Sequence, residues 1–231
     1  MSKHALHIIL LLAALTTAGC SAYPSPFEPS YADDALESKV ITAPFEVTDI
    51  VTVKRSEAGI VFLQYGPFRL IADGLDFTRQ QRAMASMMVF PEMSGDFYKC
   101  RLEWLEPLDE GFFGSSHMVP SSADRAPLDI SFNSSYTRVE DGYLTLKYSS
   151  WWGQSPLHHD FYLVSDPEQP YALTLVQDSH GDSRDNCSEG LVSFDINGLP
   201  DTAGETITIS INWTKLDGTG GTAYFGFKTR E

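Results

Sequence analysis

The stretch from Glu205 to Trp213 places Ile207, Ile209, Ile211 and Trp213 at every second position, with Thr, Ser and Asn between them. A period of two is the spacing of a β-strand with one buried face, because successive side chains leave the backbone on opposite sides. The same alternation recurs in Leu128-Asp-Ile130-Ser-Phe132, Leu144-Thr-Leu146-Lys-Tyr148, Val192-Ser-Phe194-Asp-Ile196 and Ala223-Tyr-Phe225-Gly-Phe227. Shorter candidates lie at Val40 to Phe45, Val47 to Val53, Ile60 to Tyr65, Phe68 to Ile71, Phe97 to Trp104, Phe161 to Val164 and Ala172 to Gln177. Turn signals separate them: Glu57-Ala-Gly59, Glu140-Asp-Gly142, Asn197-Gly198 and Asp217-Gly218, the last predicting a C-terminal hairpin.

Many short strands with regular turns predict an all-β fold, an antiparallel β-sandwich of jelly-roll kind, as one domain over residues 39–231. One segment departs from the pattern. Thr78 to Val89 contains neither Gly nor Pro and is rich in helix formers, so a short helix is expected near residues 78–89. Asp76 or Thr78 would cap it, and Ala83, Met84, Met87 and Met88 would form its inner face. The Gly-, Ser- and Pro-rich region from Glu106 to Pro127 reads as a long loop or as a boundary between a smaller N-terminal lobe and the sandwich.

The chain opens with Lys3, an apolar run from Ala5 to Leu15, and then Thr16-Thr17-Ala18-Gly19-Cys20. A positive start, a short apolar core and small residues before a cleavage point form a secretory signal peptide over residues 1–19. The run is far shorter than the roughly 20 residues needed to span a bilayer. The Ala18-Gly19-Cys20 ending resembles the lipobox of bacterial lipoproteins, although Thr17 stands where that family usually has an aliphatic residue. The resemblance implies that Cys20 is diacylated and becomes an acylated N-terminus. It also implies a membrane partner held through lipid, and Ser21 after the cysteine implies the outer membrane. Residues 20–38, carrying Pro24, Pro26 and Pro29, then read as a lipidated tether reaching roughly 50 Å at about 3 Å per residue.

With 31 acidic against 16 basic side chains and a net charge of −15, the chain repels nucleic acid, which is excluded as a partner. In an exported chain the remaining cysteines, Cys100 and Cys187, are expected to form a disulfide, worth roughly 4–5 kcal/mol in the chain-entropy picture and stapling the two halves.

Candidate chemistry is thin. Trp151 and Trp152, with Tyr148 and Tyr162 near in sequence, offer an aromatic platform for a glycan, although consecutive strand residues face opposite ways and one of the pair is expected in the core. Trp104 and Trp213 read as core. Asp178, Asp182 and Asp185 place oxygen ligands at a spacing compatible with Ca²⁺, but Gly181 precedes Asp182 and the EF-hand register is absent. His158-His159-Asp160 is the densest group of metal-type ligands, and it lacks a third ligand at a telling spacing. No nucleophile elbow, Ser-x-x-Lys motif, zinc-protease helix or phosphate loop is present. No cofactor is expected. The expectation is a lipid-anchored envelope protein acting by binding or assembly with a protein or glycan partner, with a glycan-binding module and an envelope hydrolase as the alternatives.

Overall fold

The computed structural model describes residues 40–75, 77 and 79–229. The signal peptide, the tether and Cys20 lie outside the described residues, as do the two candidate helix caps Asp76 and Thr78. Among the described residues the fold is all-β, with fifteen strands and a single 3-10 turn at Ser116–Met118.

The N-terminal part is a closed barrel rather than part of a sandwich. Its strands are β1 (Phe45–Arg55), β2 (Val61–Tyr65), β3 (Phe68–Ile71), β4 (Gln81–Ser94) and β5 (Phe97–Pro107). They close in the order β1-β2-β3-β5-β4, with β3 parallel to β5 and β4 returning antiparallel to β1. That is the Greek-key closure of an OB-type barrel.

The helix expected at 78–89 is therefore corrected to strand β4. Ala83, Ala85, Met87 and Val89 are buried in the barrel and the residues between them are not all so, which is period two and not 3.6. Ala and Met favour helices in isolation, but tertiary pairing along two neighbouring strands overrides that preference. The chain leaves the barrel at Pro107, the end of β5.

The rest is the sandwich. One sheet runs β6 (Asp109–Glu110), β13 (Asn186–Asp195), β10 (Tyr143–Trp152) and β8 (Leu128–Ile130), with β9 (Arg138–Glu140) also paired to β10. The other runs β15 (Gly220–Phe227), β14 (Ile207–Thr214), β12 (Gln169–Asp178), β11 (Asp160–Asp166) and β7 (Phe112–Ser115). Leu144, Leu146, Phe161, Leu163, Phe194, Ile209, Ile211, Phe225 and Phe227 fill the space between the sheets. Gly111 lets the chain switch sheets between β6 and β7, because a Cβ there would lie 2.1 Å from the Phe194 ring.

Barrel and sandwich meet through an ionic seam. Arg82 on β4, only 1% exposed, donates to Thr52 Oγ1 at 2.8 Å and to Glu140 Oε2 at 2.7 Å, and its guanidinium lies 5.9 Å from the Tyr143 ring centre. Arg138 returns the exchange from the sandwich, reaching Asp49 Oδ1 at 3.1 Å, the Ile50 carbonyl at 3.3 Å and Glu140 Oε2 at 3.1 Å. Lys54 pairs with Asp141 at 2.9 Å. The β9–β10 hairpin that presents these groups turns on Asp141 and Gly142, both at positive φ (52° and 77°), the backbone of a tight two-residue turn.

The expected Cys100–Cys187 staple is not formed. Cys100 is a free thiol packed in the barrel interior, where burial pushes its pKa up to about 11. Cys187 faces Trp151 at the far end of β13, roughly 25 Å along the strand from the seam. The seam holds the halves together instead.

Candidate functional site

Strand β10 runs from Tyr143 at the seam to Trp152 at the opposite end of the sandwich. There the start of β11, the end of β12 and the segments 153–159, 179–185 and 123–126 converge. Most residues singled out in the sequence gather at this distal end.

His159 is fully buried. Its Nε2 lies 3.2 Å from Asp182 Oδ2 and its Nδ1 lies 2.6 Å from Gln177 Nε2, while Gln177 Oε1 accepts from Ser150 Oγ at 2.9 Å. This chain of partners assigns the tautomer: the glutamine amide donates to Nδ1, so Nε2 carries the proton and donates to Asp182. The Trp152 ring stacks on the imidazole at 3.8 Å and 5°. Burial depresses the His159 pKa below the ordinary value, against the opposing pull of Asp182. Asp182 is held below its usual carboxylate value, chiefly by the Gly153 amide and further by His159 and the amides of Leu157 and Ser183. A general base needs a nitrogen free to reach substrate. Both nitrogens of His159 are spent, so this His–Asp pair fastens the loop 153–159 to the sheet end.

Three further carboxylates knit the loops. Asp124 accepts from the Ser179 amide at 2.9 Å, the Gly181 amide at 3.2 Å and the Ser179 hydroxyl. Burial alone would raise its pKa, but these donors and the Ala126 amide outweigh that and lower it. Asp185 accepts from the Gln154 amide at 3.1 Å and from Ser183 Oγ at 2.7 Å. Asp178 accepts from the His180 amide at 3.0 Å. The three candidate Ca²⁺ ligands thus present oxygens already engaged by N–H and O–H donors. His158 and His159 diverge: His159 turns inward, whereas His158, 78% exposed along its side chain, lies 3.4 Å from Asp160, whose other oxygen meets His180 Nε2 at 3.0 Å. Among the described residues, no three His, Cys, Asp or Glu side chains are arranged to hold a metal ion.

The two tryptophans separate. Trp152 packs against the core and stacks on His159. Trp151 is half-buried on the outer face of the sheet, opposite Cys187 and on the face that carries the Lys147–Glu189 ion pair (2.7 Å). Trp213 is in the core, while Trp104 on the barrel is 43% exposed.

Sequence reasoning missed a second surface, on the outer face of the sheet containing β11. Phe112 on β7, 46% exposed, stacks on Tyr162 at 5.2 Å and 20°, with exposed Met118 nearby on the 3-10 turn. Beneath them Tyr162, Val164 and Val176 form a small cluster with Val119. The only sequence signal was the Phe112-Phe113 doublet, which puts one ring on each face of a strand. A groove of about 230 Å³ also opens where β12 and β14 part, lined by Arg125, Thr174, Val176, Asn212 and Thr214.

No curated protein sequence matches the chain. Solved structures share its fold. A candidate toxin-related protein of Parabacteroides distasonis is 19% identical with a TM-score of 0.64, covering 80% of this chain and 94% of that one. A NigD-like immunity protein of Bacteroides caccae is 18% identical with a TM-score of 0.55, covering 77% and 91%. A candidate lipoprotein of Bacteroides fragilis is 14% identical with a TM-score of 0.58, covering 81% and 100%. Within the chain, residues 121–227, the sandwich from just before β8 to the end of β15, match the NigD-like C-terminal β-sandwich domain.

Proposed function

We propose that this chain is a lipid-anchored protein of the bacterial envelope that binds a protein partner, in the manner of an immunity protein that intercepts an antagonist. The observation that carries the reading is the Phe112–Tyr162–Met118 surface. On a chain of net charge −15, an exposed Phe112 stacked on the buried Tyr162, beside an exposed methionine, marks a place where another protein excludes water. The distal loops support it, since carboxylates and His159 are used to make a rigid frame rather than an open reaction centre. Support for the compartment comes from the Ala18-Gly19-Cys20 motif, with Ser21 favouring the outer membrane, and from the lipoprotein and immunity descriptions of two structural neighbours.

The test is a photo-crosslinking residue at Phe112 in living cells, with Lys99 on the barrel as control. The expected result is a crosslink to one protein from Phe112, lost in Met118→Asp and absent from the control. Equal labelling at both positions would defeat the reading. Anchoring is tested separately, since Cys20→Ser is expected to leave the membrane fraction.

A second reading, glycan binding, keeps one specific observation in its favour: Trp151 lies outward beside polar partners. No comparable observation favours a hydrolase, because the buried histidine has no nitrogen to offer a substrate.

A further inference from the structure

The last strand has a property that the proposed partner surface does not use. β15 ends its sheet, paired to β14 on one side only. The hairpin that starts it closes with the Lys215 amide donating to the Thr219 carbonyl at 2.8 Å. In an antiparallel ladder, hydrogen-bonded and non-hydrogen-bonded pairs alternate. Counting from that bond, Gly221, Ala223, Phe225 and Phe227 spend their amides and carbonyls on β14, while those of Gly220, Thr222, Tyr224 and Gly226 point away from it. Among the described residues no backbone hydrogen bond covers that open side, although β9 passes near the strand.

Sheet edges of this kind are normally blunted by lysine, proline, a bulge or shortness. β15 has none of these. It is eight residues long, its pairing with β14 is unbroken, and residues 218–227 carry no charge and no proline. In a chain of net charge −15, this is a neutral strip along which two acidic molecules can approach. Its flanks are of opposite sign, Asp217 before the strand and Lys228 after it.

We propose that two copies of this chain pair antiparallel along β15, about a two-fold axis at Ala223. Thr222 then faces Tyr224 of the second copy and Gly220 faces its Gly226, so every outward amide and carbonyl of these residues finds a partner. The same register sets Asp217 of each copy alongside Lys228 of the other. Such an isologous contact is self-complementary and closed, giving a dimer and not a filament. The charge pattern selects the occupant: a second copy supplies the matching neutral strip and the inverted flanking charges.

The experiment uses the full chain extracted in detergent, with protein mass measured by light scattering after gel filtration over roughly 1–100 μM. The expected result is a dimer. Thr222→Pro removes an amide that faces only the open edge, a position where a strand tolerates proline. Tyr224→Lys places like charges near one another across the two-fold axis. Each is expected to weaken the dimer at least about tenfold, with melting temperature shifted by less than about 4 °C. Should Thr222→Pro fail to fold, Tyr224→Lys decides. A wild-type chain that is monomeric throughout overturns the proposal, as does a dimer that survives Tyr224→Lys. A monomer that instead co-purifies with a different protein, lost in Tyr224→Lys, also overturns it and assigns the edge to a foreign strand.

Discussion

The barrel and the sandwich fill their interiors with different materials. Inside the barrel, β4 contributes Ala83, Ala85, Met87 and Val89. Between the sheets, the same alternation brings Tyr148, Phe161, Phe194, Phe225 and Phe227. A closed barrel of five strands leaves little room at its axis, whereas two sheets stand about 10 Å apart and need large side chains to meet. On β4 that alternation selects Ala83 and Ala85 while Leu63, Leu70, Met87 and Tyr98 fill the rest of the barrel, and the sandwich interior carries the larger share of buried aromatic rings. The join between them follows a third rule, with paired charges where either core would place apolar groups.

Removing Arg82 is the strongest way to break this arrangement. In Arg82→Ala, Glu140 keeps Arg138, but Thr52 and one side of the carboxylate lose a buried donor. Breaking one partner of a buried pair costs about 3–5 kcal/mol. Calorimetry is expected to show the single transition of the parent splitting into two, as barrel and sandwich unfold apart. A variant that loses less than about 1 kcal/mol and still melts in one step would mean that the seam is not what couples the halves.

The contrast between cores is sharpened by Ala85→Leu. Ala85 is fully buried in the barrel, so three extra carbons there are expected to overpack it, at a cost of about 1–3 kcal/mol in chemical denaturation. If the variant is as stable as the parent, the small residues of β4 do not reflect a narrow interior.

That contrast also explains how far the sequence could be read. The sandwich strands were legible because Ile207, Ile209, Ile211 and Trp213 are strong β-formers whose period and propensity agree. In β4 the two signals disagree: Ala and Met are helix formers, yet pairing with β1 and β5 along both edges holds them as strand. The strands β6, β7 and β9 are too short for any period to show. At the distal end, His159, Asp182 and Trp152 could each be noticed, but Gln177, 18 residues from His159, becomes its partner only through the β11–β12 pairing. The Cys100–Cys187 expectation failed for a related reason. Counting cysteines assumes one core, whereas Cys100 lies inside the barrel and Cys187 sits opposite Trp151 on the outer face of the sandwich.

The distal frame gives a pH test confined to the sandwich. His159 has a folded pKa below its unfolded value of 6.5 because burial disfavours the imidazolium. The unfolded chain therefore binds more protons in that window, and stability rises with pH. The contribution of a neutral, buried His159 is complete above 6.5 and is lost as pH falls from there toward the folded pKa. Asp182 and Asp124 are also depressed, from 3.8, so their contribution is lost only at lower pH. Melting temperatures between pH 7 and pH 5 should fall in the parent and fall less in His159→Gln. Identical slopes would show that another group carries the dependence.

The smallest effect is expected just outside the sandwich core, at Trp151. Its neighbour Trp152 is tied inward by the His159 stack, whereas Trp151 lies on the outer face against Cys187 and contributes nothing to the buried cluster. Truncating a side chain outside such a core changes stability by about 0.5 kcal/mol. Trp151→Ala should therefore melt like the parent, which leaves its fluorescence free to report on ligands. A glycan that shifts the parent's emission and not the variant's would show that the aromatic platform binds sugar. A loss of more than about 2 kcal/mol in the variant would instead make Trp151 a packing residue and remove the basis of the glycan reading.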